Sequence, residues 1–336
     1  MKEHTEKSIS KILSTTLQSK DFPALLIKAE KMIESDPLSF DGYIIRGYAN
    51  SNMGKIEDAL IDYDRAIGLN ANCKEPYLFR GNAKAELQDY MGAVNDFNKA
   101  LEIDPEFVKA YASRASAKRA LKLDEEAVND FDKVVELDPT SYYSYLDRGI
   151  AKLESNDYLG AIEDLSRAIS LEPHTSFIYL WRGIAKANLE DSEGAIKDFD
   201  QTILLDPSES QAYFRIGREK IKLQLFDSAV KDFDKVIELD PNYKGVYFNR
   251  AFVKMCTGDL VGAASDFSKV DPTAMPTVIP DINMMPDQNN PEYLKNAERI
   301  IAQNLENASY KIQQSIAETA TKAGNVDIND FRTGLN

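Results

Sequence analysis

Histidine and cysteine are scarce in this chain, with two of each in 336 residues. His4 and His174 stand alone, so neither general-base chemistry nor a histidine metal site has the partners it needs. Cys73 and Cys256 are 183 residues apart, outside any CxxC or metal-ligand spacing. They read as buried or idle thiols in a reducing compartment. A glycine-rich phosphate loop and an activated-nucleophile motif are both missing. The expectation is therefore a protein that is not an enzyme and holds no cofactor or metal. No run of 18 apolar residues occurs, which excludes a membrane-spanning helix. The start, Met1-Lys2-Glu3-His4, leads into a mixed polar helix, so a cytoplasmic protein without a leader is expected. Basic residues are in the minority, 40 against 55 acidic, for a net charge of −15. Nucleic acid is excluded as a partner, because phosphate binding needs dense Lys and Arg on one face. The acidic surface reads as a device for solubility.

What the chain has in quantity is order of one fixed period. An alanine recurs every 34 residues, at Ala59, Ala93, Ala127, Ala161, Ala195, Ala229 and Ala263. Four residues beyond each stands a large ring or leucine: Tyr63, Phe97, Phe131, Leu165, Phe199, Phe233 and Phe267. Sixteen residues before each stands a tyrosine: Tyr43, Tyr77, Tyr111, Tyr145, Tyr179, Tyr213 and Tyr247. A period of this size means stacked supersecondary units that bury one continuous core. The expectation is one elongated array whose purpose is to present a surface.

Prolines punctuate the units. Asp36-Pro37, Asp104-Pro105, Asp138-Pro139, Glu172-Pro173, Asp206-Pro207 and Asp240-Pro241 each mark a helix end, since proline cannot continue a helix and its predecessor avoids helical angles. Between stops, apolar residues recur at three- and four-residue spacing, the mark of amphipathic helices. Gly54, Asn156 and Gly258 fall midway, where a turn divides each unit into two helices. In the first unit this predicts helices over about 40–53 and 56–69. Residues 1–39 read as a degenerate capping helix pair. Seven repeats follow, at 40–73, 74–107, 108–141, 142–175, 176–209, 210–243 and 244–277. Residues 272–291 hold five of the thirteen prolines, and 278–290 reads as an irregular linker. A C-terminal amphipathic helix is expected over 291–324, opened by Asn290-Pro291-Glu292, with a loose tail at 325–336. The apolar linker or this helix is expected to cover the face that the last hairpin leaves open.

The pattern Tyr-x3-Gly, then Ala-x3-aromatic, then Pro, resembles the tetratricopeptide repeat (TPR). The glycine stands at Gly47, Gly81, Gly149, Gly183 and Gly217, replaced by Ala115 and Ala251. Seven repeats of 34 cover 238 of 336 residues. The resemblance implies an all-α, right-handed TPR superhelix (α-solenoid) with a C-terminal helix. It also implies a protein–protein interaction scaffold. Where the family often has an aromatic three residues after the glycine, this chain has Lys84, Lys118, Lys152, Lys186, Lys220 and Lys254. Some family members hold the acidic tails of cytosolic chaperones in a carboxylate clamp. The slots for such a clamp read Ile44 and Tyr48, Leu78 and Asn82, Ala112 and Ser116, and no such clamp is found.

Two constellations stand out. Arg46, Arg80, Arg114, Arg148, Arg182 and Arg250 each precede an aspartate by sixteen residues, at Asp62, Asp96, Asp130, Asp164, Asp198 and Asp266. Equal distances from the central turn put the two residues level in an antiparallel hairpin, which favours a bidentate pair inside each unit over a ladder of charges for a ligand. In the sixth repeat Ile216 replaces the arginine, leaving Arg215 or Arg218 as the candidate partner of Asp232. The second constellation is the set of slots that the family turns inward. These are Tyr143, Leu146, Ile150 and Leu153, then Phe177, Leu180, Trp181 and Ile184, then Phe214 and Arg218, then Phe248, Phe252 and Met255. In the first three repeats the slots are more polar, with Asp41, Glu75, Asn82, Lys109, Ser116 and Arg119. The apolar set fits a partner-binding groove, and fits equally well core packing against a neighbouring helix. The resulting expectation is a non-catalytic scaffold holding a partner peptide or helix in the concave groove. The alternative is a structural or assembly subunit that oligomerises through the array or its C-terminal helix.

Overall fold

The computed structural model describes residues 21–270. The expected helices at 1–20 and 291–324, the linker at 278–290 and the tail at 325–336 lie outside the described residues. Among these, fifteen helices and no strand occur, so the fold is all-α as expected. Contacts divide the chain into two compact units, one ending at Pro173 and the other beginning at His174, where the even period predicts a single array. Each unit is a run of helical hairpins.

The first unit opens with α1 (Phe22–Ser35) and continues in four hairpins: α2 (Phe40–Asn52) with α3 (Ile56–Leu69), α4 (Lys74–Glu86) with α5 (Tyr90–Ile103), α6 (Val108–Ala120) with α7 (Asp124–Leu137), and α8 (Tyr142–Glu154) with α9 (Tyr158–Leu171). The second unit has three: α10 (Ser176–Asn188) with α11 (Ser192–Leu205), α12 (Ser210–Lys222) with α13 (Phe226–Leu239), and α14 (Val246–Cys256) with α15 (Leu260–Phe267). Within each unit, every helix packs on the next in sequence.

Local chemistry sets the boundaries. Second helices end at an extended cap residue such as Asp104, Asp206 or Asp240, directly before proline. The cap carboxylate then accepts the N–H two residues on, from Glu106, Ser208 and Asn242, which tightens the link to the next hairpin. Four of the seven second helices begin at an aspartate whose side chain accepts an N–H three residues later: Asp89 from Gly92, Asp157 from Gly160, Asp191 from Gly194, Asp259 from Gly262. The turn between the two helices needs one left-handed residue. Gly54 and Gly258 provide it in the first and last hairpins. Gln88, Lys122, Asn156, Glu190 and Gln224 adopt the same conformation in the others despite its steric cost.

The core follows the repeat. All seven repeat alanines are fully buried, as are Tyr63, Phe97, Phe131, Leu165, Phe199 and Phe233. A Cβ placed on Gly183 would lie 2.5 Å from Phe199 Cε1, and one on Gly217 would lie 2.7 Å from Phe233 Cε1. The small residue on the first helix is therefore the seat for the ring of the second, and fixes how closely the two approach. The last hairpin is shorter. Gly245, left-handed at φ 81, delays the start of α14 to Val246.

Candidate functional site

The arginine ladder is internal to the hairpins. Arg46, Arg80, Arg114, Arg148, Arg182 and Arg250 each place Nε and Nη2 on the two carboxylate oxygens of the aspartate sixteen residues on. The aspartates are buried. The remaining Nη1 reaches back to the preceding hairpin, from Arg80 to Asp64, Arg114 to Asn98, Arg148 to Asp132 and Arg250 to Asp234. The tyrosine three residues before each ladder arginine brings its ring centroid within 5.3 to 5.9 Å of the guanidinium carbon. The repeat tyrosine and arginine thus serve one junction, both inside a hairpin and between successive ones.

The lysines that replace the family's aromatic complete this junction. Lys84, Lys118, Lys152, Lys186, Lys220 and Lys254 lie 2.7 to 2.9 Å from Asp96, Asp130, Asp164, Asp198, Asp232 and Asp266. In the first hairpin Asn50 takes this place, 3.3 Å from Asp62. Sequence reasoning missed this second partner, although the constant spacing of twelve from lysine to aspartate signals it. In the sixth repeat neither Arg215 nor Arg218 reaches Asp232, against expectation. Lys220 does so alone at 2.7 Å, and buried Ile216 fills the arginine's place. Burial pushes the Asp232 carboxyl above its usual range, with Lys220 opposing. Asp200, in the slot that takes Nη1 elsewhere, is also pushed up by burial. For Asp266 burial acts upward too, but the bonds from Arg250 and Lys254 outweigh it and hold the carboxyl low.

The apolar groove set separates into two groups. In the first unit Leu146 and Ile150 are buried, Leu153 is half-buried and Tyr143 is exposed, its ring stacked 4.0 Å from that of Tyr142. In the second unit Leu180, Ile184, Phe252 and Met255 are buried, while Trp181, Phe214 and Phe248 are half-buried. Phe177 is exposed, edge-on to Trp181 at 5.6 Å, and Arg218 is exposed. Six of the thirteen positions are therefore core. The Trp181 indole N–H is buried with no acceptor.

In the first unit a groove of about 550 Å³ is lined by Asn82, Glu86, Tyr90, Ala112, Ser113 and Ser116. Small residues on α6 leave the space, a signal present in the sequence but not used. Nearby, Arg119 binds Glu154 at 2.7 and 2.8 Å and holds that carboxyl low. Burial pushes Asp147 upward against the charge of Arg119. Asp41 is also raised by burial, and its Oδ1 has no hydrogen-bond partner. His174 is exposed. Among the described residues no cluster of three or more His, Cys, Asp or Glu could hold a metal, and no helix is long and apolar enough to cross a membrane.

Family models described as "Tetratricopeptide repeat" match residues 40–73, 78–142, 146–212 and 210–243. Together with the Tyr, Gly, Ala and aromatic positions of each hairpin, this places the chain in the tetratricopeptide repeat family, whose repeats mediate protein–protein interaction. Among solved structures it is similar to the C-terminal part of a TPR repeat-containing protein from Cytophaga hutchinsonii, with 16% identity, TM-score 0.58, 71% of this chain and 98% of that one covered. It is also similar to a tetratricopeptide repeat protein from Parabacteroides merdae, with 20% identity, TM-score 0.53, 74% of this chain and 98% of that one covered. A third is MamA from Desulfovibrio magneticus, at 24% identity and TM-score 0.48, over 51% of this chain and 96% of that one. A search of curated proteins finds no match.

Proposed function

We propose that the protein is a non-catalytic interaction scaffold that holds a peptide or helix of a partner protein against the concave groove made by its first helices. One observation carries this reading. Tyr143 in the first unit and Phe177 in the second occupy the same repeat slot, and each is left exposed within its own unit, by 59% and 46%, whereas large apolar side chains are ordinarily withdrawn from water. Aromatic side chains of this kind anchor protein interfaces because they bury much area with few rotatable bonds. A cytoplasmic site of action goes with this reading, since Cys256 is a buried thiol. The test is a display selection of peptides on the full chain, followed by affinity measurement on Tyr143→Ser and Phe177→Ser. Both variants should lose affinity at unchanged melting temperature. Selected peptides that bind the variants as well as the parent would refute the groove.

A different observation favours the assembly reading. On the second helices Met91, Leu159 and Val261 share one slot and are 55%, 67% and 84% exposed. Light scattering over a range of concentrations tests it. A rising mass that Leu159→Ser abolishes supports an assembly subunit, and a constant monomer mass removes that reading.

A further inference from the structure

The six ladder arginines and Arg119 are ion-paired, and Arg65 and Arg167 lie over the rings of Tyr43 and Tyr145. Among the described arginines, only Arg215 and Arg218 have neither a carboxylate nor a ring. The sequence supplies the cause. Ile216 takes the ladder slot of the sixth repeat, so the guanidinium stands one residue earlier, about 100° around the helix, and misses Asp232. Unpaired guanidiniums are out of place in a chain of net charge −15.

Arg215 and Arg218 stand three residues apart on α12 and so on one face of that helix, and Tyr243 packs its ring on that of Phe214, the neighbour of Arg215. The charges of Arg215 and Arg218 both act on the Tyr243 hydroxyl, lowering its pKa against the larger effect of burial. Arg215 itself is made harder to protonate, first by burial and then by the charge of Arg218, although Tyr243 and Glu219 favour the charged form. Its Nε is buried and has no acceptor. The carboxylates within electrostatic reach are already committed: Glu219 accepts from Ser192 at 2.7 Å and from Lys222 at 2.9 Å, Glu209 from the Gln211 N–H, and Asp240 from the Asn242 N–H. Phe214 stacks against Tyr243 at 4.9 Å and supplies an apolar wall.

We propose that Arg215, Arg218 and Tyr243 dock an aspartate or glutamate side chain of a partner polypeptide, with an apolar neighbour of that residue resting on Phe214. The inference rests on the interaction reading and names the partner's chemistry. Planar guanidiniums match a carboxylate in geometry. Glu209, Glu219 and Asp240 close by penalise a doubly charged phosphate more than a single negative charge. Among the seven repeats the combination occurs once, because the slot of Arg218 holds Tyr48, Asn82, Ser116, Ile150, Ile184 or Phe252 in the others.

The probe is a random dodecapeptide display library selected on the full-length protein. The expected result is enrichment of Asp or Glu beside an apolar residue. The best synthetic peptide should then lose about tenfold or more in affinity with Arg218→Ala, and again when its acidic residue is made an amide. Arg218→Lys should restore only part, and added salt should weaken binding. Arg218 is exposed, so its replacement leaves the fold intact, which a thermal melt verifies. Peptides with no acidic enrichment, indifferent to Arg218→Ala but weakened by Phe177→Ser, would overturn this inference and leave the interaction reading standing. Recovery of no peptide would overturn both. A change of solution mass with Arg218→Ala, without any peptide dependence, would assign the site to a second copy of the chain and overturn the proposal.

Discussion

Replacing Arg148 with alanine removes three hydrogen bonds: Nε and Nη2 to Asp164 within the fourth hairpin at 2.8 and 2.6 Å, and Nη1 to Asp132 of the third at 2.9 Å. The Asp164 side chain is 6% exposed and keeps only Lys152, at 2.8 Å. Breaking a buried pair from one side costs about 3–5 kcal/mol, because the remaining charge stays desolvated. Arg148→Ala should fall near the lower end of that range, since Lys152 still neutralises Asp164. Asp164→Ala should fall near the upper end, since it strands Lys152 and leaves Arg148 with Asp132 alone. The double variant should cost less than the sum by about 1–3 kcal/mol, as both changes remove one junction. The assay is urea unfolding of the four proteins, with the coupling read only where the slope m is unchanged, because arrays of repeats can lose two-state behaviour. Costs that add to within about 0.5 kcal/mol would refute the reasoning. So would loss of peptide binding at unchanged stability.

The sixth and seventh hairpins should respond oppositely to pH. The raised carboxyl of Asp232 contributes stability that is full below about pH 3.9 and lost as pH rises through its folded value, so Asp232→Asn should stabilise at pH 7 by an amount that fades in acid. The depressed carboxyl of Asp266 contributes stability present above about pH 3.9 and lost as pH falls through its folded value. Asp266→Asn should accordingly destabilise at pH 7 and lose its effect in acid, which denaturation at a series of pH values checks. Ala161→Leu puts a large side chain at a fully buried position and should cost roughly 1–3 kcal/mol. An unchanged melting transition would show that this alanine is not at a helix contact. Gln224→Gly relieves a left-handed residue at φ 58 and should stabilise by about 1 kcal/mol in thermal melts, less the entropy glycine loses on folding.

The period of 34 and the Asp-Pro stops were enough to place α2 to α13, because amphipathic spacing and the geometry of proline act within a few residues of chain. The Arg–Asp pairing was legible for a similar reason: an antiparallel hairpin brings together residues equidistant from its turn. Even the local chemistry of four second-helix caps is written in Asp-x-x-Gly quartets. What the residues alone left open was exposure. Tyr143 and Leu146 lie three apart on α8 and are both apolar, yet one is exposed and the other buried. Which of them meets water depends on how helices pack around α8, a relation between distant residues that no local spacing contains. Only the folded units decided that Lys220, rather than Arg215 or Arg218, satisfies Asp232. An ion pair goes to whichever cation can reach the buried carboxylate, and reach is a property of three-dimensional packing.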